Sequence, residues 1–135
     1  MIAKLRALRR ATGGGAVLEF ALIAPVLLTL MIALVDVGRM YYVRQGLEYA
    51  TQEGARYYML NPTAATSAVT TYLQGKMPGG MGSDVSVAYT DTPNCNGNSA
   101  VTCTLIAADY SFTFATSYLG IGTTSLQAKS QAVRY

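Results

Sequence analysis

The spacing of apolar residues changes character along this chain, and each change predicts a different element. Phe20–Val35 carries no charge, and in the 21 residues from Gly15 to Val35 only Glu19 is charged. A helix needs about 20 such residues to cross ~30 Å of hydrocarbon, so the run can span a bilayer with Glu19 at one boundary. Beyond it, Met40, Val43, Leu47, Ala50, Gly54 and Tyr57 follow at spacings of 3, 4, 3, 4 and 3. That stripe belongs to a helix with one packing face. No proline interrupts Asp36–Leu60, and Asn61-Pro62 supplies a stop. The pattern predicts one helix from about Gly15 to Leu60, roughly 65–70 Å long at 1.5 Å per residue. Pro25, inside it, removes a backbone hydrogen bond near Ala21 and predicts a kink or loosened turn. The alternative, an ordinary membrane-helix proline, stands beside that reading.

Asn61-Pro62-Thr63 predicts a second helix, with Asn61 as cap and Pro62 in the first turn. Ala65, Ala68, Val69, Tyr72 and Leu73 form its apolar face, and Gly75 ends it. After the connection Pro78–Gly82 the period becomes two, with Val85, Val87 and Tyr89 alternating with polar or small residues. A polar loop over Thr92–Ala100 leads to a second strand. Its apolar phase runs on Val101, Cys103 and Leu105, then on Tyr110, Phe112 and Phe114, which predicts a bulge or break near Ala107–Asp109. A last strand over Ser125–Tyr135 places Leu126, Ala128, Ser130 and Ala132 on one face.

The predicted fold class is therefore α+β: a long N-terminal transmembrane and amphipathic helix, a short helix, and a small three-stranded antiparallel sheet. The expected organisation is a basic leader at 1–14, a transmembrane helix at 15–36, its continuation outside the membrane at 37–60, and a small α+β domain at 61–135. So small a core is marginal alone, and its size argues for assembly with neighbouring subunits.

Charge sets the orientation. Lys4, Arg6, Arg9 and Arg10 precede the apolar run with no acidic residue among them, against Arg39 and Arg44 on the far side. This topology signal puts the N-terminus in the cytoplasm and the C-terminal part outside, in a periplasm. It also accounts for most of the net charge of +3, so no nucleic-acid partner is expected. A cleaved secretory signal would explain the basic start and the apolar run, but it leaves Glu19 unexplained. Cys95 and Cys103 both fall on the outer side, where an oxidising compartment favours their disulfide.

The candidate chemistry is sparse. With no histidine in the chain, Ser-His-Asp and Cys-His nucleophile systems are excluded. Asp84, Asp91 and Asp109 are scattered, and the glycines at 13–15 lack a phosphate-loop pattern. Asp91, Asn94, Asn96 and Asn98 imitate a calcium loop loosely, with one carboxylate and no terminal Glu. The expectation is a protein that is not an enzyme, with no metal and no cofactor. Ten tyrosines are the remaining oddity. Tyr41 and Tyr42 suit an interfacial aromatic belt, while Tyr49, Tyr57 and Tyr58 suit either subunit contacts or the domain core.

A carboxylate at the mouth of a membrane segment is costly. Gly14-Gly15-Ala16-Val17-Leu18-Glu19-Phe20-Ala21, with Pro25, Asp36-Val37-Gly38-Arg39 and Glu53-Gly54-Ala55-Arg56-Tyr57, resembles TadE-like pseudopilins of tight-adherence (Flp) pilus systems. The resemblance covers about residues 9–58. It implies cleavage by a prepilin peptidase between Gly14 and Gly15, leaving Glu19 as fifth residue beside Phe20. A new ammonium at Gly15 can then neutralise Glu19 of a neighbouring subunit and fix axial register. The implied partners are membrane lipid, the peptidase, other pilin or pseudopilin subunits and the pilus assembly platform, with a role in pilus biogenesis and surface adhesion. The implied location is the bacterial inner membrane, single-pass, with possible incorporation into an extracellular pilus. Two other readings remain open: an uncleaved membrane-anchored periplasmic binding or adhesion module, and a major filament subunit.

Overall fold

The computed structural model describes residues 14–97, 100–120 and 122–134. Helix α1, Gly14–Leu60, runs for 47 residues without a break through Pro25. Just after the proline, the Thr29 hydroxyl donates to the Pro25 carbonyl at 2.8 Å. The topology residues Lys4, Arg6, Arg9 and Arg10 lie outside the described residues.

The end of α1 explains a difference from the sequence expectation. Asn61 does not cap a second helix. Its backbone N–H and its side-chain amide both donate to the Tyr57 carbonyl, each at 3.0 Å, closing the last turn of α1. Pro62 has no N–H to continue that ladder. Helix α2 therefore starts four residues beyond the proline and spans Thr66–Lys76, with Ala65 at its cap and no side-chain capping bond. Nor does Gly75 end it. The helix passes through Gly75 to Lys76, and Met77-Pro78 turns the backbone out. The connection Pro78–Asp84 is a pair of 3₁₀ turns in which Gly79 and Gly80 take φ of 65° and 73°, conformations that favour glycine.

Strands β1 (Val85–Pro93), β2 (Thr102–Thr113) and β3 (Thr123–Arg134) form one antiparallel sheet in the order β1-β2-β3. The expected bulge near Ala107–Asp109 is absent: Val85 pairs with Tyr110, Ala88 with Ala107 and Pro93 with Thr102 in unbroken register. The apparent slip arose from counting Cys103 and Leu105 as inward. The inward set is instead Thr104, Ile106, Ala108, Tyr110 and Phe112, an even-numbered face throughout, with Leu105 on the outer face. Thr104 hides the pattern because a polar residue holds a core position. It is buried, donates to Asp91 and accepts from Arg134.

β3 lies along the C-terminal half of α1, and α2 packs beside it. Val43, Leu47, Ala50, Ala55 and Tyr58 of α1 meet Val69 and Leu73 of α2 and Ile106, Ala108, Phe112, Leu126, Ala128 and Ala132 of the sheet. Two glycines allow the close approaches. A Cβ at Gly46 would stand 2.6 Å from the Pro78 ring, and one at Gly54 would stand 3.1 Å from Leu73.

Candidate functional site

The two halves of α1 sit in different surroundings. From Ala16 to Val35 hardly any side chain is covered, and Val17, Leu18, Phe20, Leu22, Ile23 and Val26 are all more than 60 % exposed. α1 is long and apolar enough to cross a membrane, and its bare stretch is the part that needs an apolar surrounding. Glu19 stands exposed within it, one turn from Gly15. Gly14 and Gly15 open the helix with free space around both.

The junction between bare and covered helix is marked by Asp36, whose side chain is 2 % exposed. Its Oδ1 accepts the Ala115 N–H at 3.1 Å. Its Oδ2 accepts the Thr116 N–H at 2.9 Å and the Thr116 hydroxyl at 3.0 Å. Arg39 completes the set with an ion pair to Oδ1 at 3.2 Å. Ala115 and Thr116 open a 3₁₀ turn, Ala115–Leu119, between β2 and β3. Asp36 thus caps from a distance a turn whose N-terminus has no side-chain cap of its own, and it satisfies the buried Thr116 amide, which would otherwise lack a partner. The Arg39 guanidinium also lies 5.5 Å over the Phe112 ring. In the sequence Asp36 stands out only as part of the Asp36-Val37-Gly38-Arg39 resemblance. The available signal was its place on the stripe, four residues before Met40 and seven before Val43.

At the other end of the sheet, Arg134 bonds Asp91 at 3.1 Å and lies 4.5 Å over the Tyr58 ring. Cys95 and Cys103 form the expected disulfide at this end, with Cα atoms 5.8 Å apart. Tyr57 stacks on Tyr72 at 4.5 Å, so Tyr57 and Tyr58 serve the core. Tyr41, Tyr42 and Tyr49 stay exposed. Asp91 is engaged by Thr104 and Arg134, and Asp109 accepts from Gln127. Among the described residues, no group of three His, Cys, Asp or Glu side chains could hold a metal ion. Glu19, Asp36 and the disulfide therefore occupy three separate levels, with Glu19 about 25 Å from Asp36 along the helix.

No curated protein and no solved structure matches this chain. One family does match, described as TadE-like protein, over residues 14–56. The matched segment covers the bare helix, Glu19, the Asp36 junction and most of the packing stripe, and it stops before the sheet. Over residues 14–56 the chain is therefore similar to TadE-like proteins.

Proposed function

We propose that this protein is a pseudopilin, a minor structural or assembly subunit of a Tad-type pilus or related secretion machine, with no catalytic activity of its own. The observation that carries the reading is the bare apolar half of α1 with Glu19 near its start, joined to a head folded on the other half of the same helix. The bare half lies in the inner membrane until subunits pack helix against helix. The basic N-terminus stays in the cytoplasm and the sheet faces the periplasm. A prepilin peptidase cuts between Gly14 and Gly15, in the first turn of α1, where consecutive glycines disfavour helix by about 1 kcal/mol each relative to Ala and make local unwinding cheap. The ammonium released at Gly15 then pairs with Glu19 of the neighbouring subunit, which fixes axial register because both charges lie in a poorly solvated layer.

Expression of the full chain with and without a cognate peptidase, followed by mass spectrometry of the mature N-terminus, tests this. A peptidase-dependent start at Gly15 is expected. A Met1 start in both samples overturns it and leaves an uncleaved membrane anchor.

A further inference from the structure

One cavity of the head lies where α1 leaves the apolar run, and the geometry points to a binding site for a zwitterionic phospholipid headgroup of the phosphoethanolamine type. The cavity measures about 530 Å³ and is lined by Arg39, Tyr42, Asp84, Tyr110 and Phe112 among others. That size falls within the roughly 300–1,000 Å³ of small-ligand sites.

The inference rests on the membrane-anchored reading above, because depth decides the occupant. Arg39 lies four residues beyond Val35, about 6 Å further along the axis, and Val43 about 12 Å. The polar layer adds roughly 5–7 Å to each side of the hydrocarbon core. Arg39 therefore stands at the level of the lipid phosphates, with the rest of the cavity just beyond.

The lining supplies matching chemistry. The Arg39 side chain is 54 % exposed even while bonded to Asp36. A guanidinium has five N–H donors and suits a phosphodiester. Asp84 is exposed on the same cavity, and its recorded polar contact is the Ser83 hydroxyl, which donates to Oδ1 at 3.2 Å. Its carboxylate and the exposed Tyr42 ring, with Tyr110 beside them, fit an ammonium through charge and through the ring face, while the buried Phe112 ring lies under Arg39. One cation and one anion in an aromatic-walled space select a ligand that carries both charges. A phosphatidylglycerol headgroup leaves Asp84 without a partner and sets like charges together. The quaternary ammonium of phosphatidylcholine suits the ring faces but has no N–H to donate to Asp84, so the hydrogen bond to that carboxylate makes the difference.

The test uses the full-length protein reconstituted in vesicles containing phosphatidylethanolamine, phosphatidylglycerol and phosphatidylcholine. Flotation comes first, then native mass spectrometry of the lipid retained after extraction. Wild-type protein should retain phosphatidylethanolamine in preference to the other two. Asp84→Asn, at an exposed position, should keep its circular dichroism spectrum and lose that preference by about tenfold, the effect of one charge-assisted hydrogen bond. Arg39→Gln should lower retention of all three lipids. Equal retention of the three by wild type and both variants, in protein that floats, overturns the headgroup site while leaving the anchor intact. Failure to float overturns the anchor and the site together. Reduced self-association of Asp84→Asn with unchanged lipid retention assigns the cavity to a neighbouring subunit, and also overturns it.

Discussion

The two halves of α1 follow opposite rules. Before Asp36 the large apolar side chains point outward, and Leu22, Phe20 and Val26 are about as exposed as helix geometry allows. After Asp36 the buried positions are Val43, Leu47, Ala50, Thr51, Gly54, Ala55 and Tyr58, mostly small residues that let α2 and β3 come close. In the first half the exposed apolar side chains form one continuous surface, which marks where another apolar medium is required, whereas in the second they are scattered, as at Tyr49 and Leu60. Continuous helical backbone carries both, since its internal hydrogen bonds are satisfied equally in lipid and in a protein core.

The sharpest way to break the comparison is one truncation made in each half. Leu47 is fully buried, so Leu47→Ala should cost about 2–5 kcal/mol of head stability, read by urea unfolding in detergent. Leu22→Ala should leave that unfolding curve in place and weaken only vesicle partitioning. If both shift the head's midpoint equally, the halves do not differ as described. Next in size, Cys103→Ser should cost roughly 2–3 kcal/mol, because the bridge closes a loop of only a few residues. That loss should match the shift caused by reductant in wild type.

Gly46→Ala should cost about 1–3 kcal/mol, since the Pro78 ring has little room to retreat. Gly38→Ala, just beyond Asp36 and with nothing nearby, should not destabilise the head and should favour the helix slightly.

The smallest expected effect is a titration. Burial pushes the Tyr89 hydroxyl above the ordinary tyrosine range against the pull of its Thr70 hydrogen bond, with Tyr58 adding to the rise. The folded state thus favours the neutral phenol. Its contribution is complete below the ordinary tyrosine value near 10 and is lost as pH rises through the raised folded one. Tyr89→Phe should flatten that alkaline loss in a thermal melt. It should cost about 0.5–1.5 kcal/mol at neutral pH through the bonds to Thr70 and the Thr66 carbonyl.

Local periodicity made much of this legible. The apolar run, the stripe through Val43, Leu47, Ala50 and Gly54, and the alternation of Leu126, Ala128 and Ala132 correspond to a helix, its packed face and a strand's inner face. Three features were not legible, two because their partners lie far away in sequence and one because two local bonds compete. Thr104 is an inward residue because Asp91 and Arg134 meet its hydroxyl, so the even phase of β2 was masked. Asn61 closes α1 instead of opening α2, a choice between two local bonds that composition does not decide. Asp36 carries no capping signal of its own, because its turn-capping role needs residues 115 and 116 placed beside it.

That last contact imposes an order in time. Asp36 and Thr116 lie 80 residues apart in sequence. At synthesis rates of 5–20 residues per second, roughly 4–16 s separate their appearance. Throughout that interval Arg39 is the one partner of the carboxylate that has already been made. β3, which covers α1, is made later still. The head therefore cannot close until β3 has been made. During that wait Val43, Leu47 and Ala50 remain uncovered just beyond Asp36, where a chaperone or a neighbouring subunit can reach them before the chain's own last strand does.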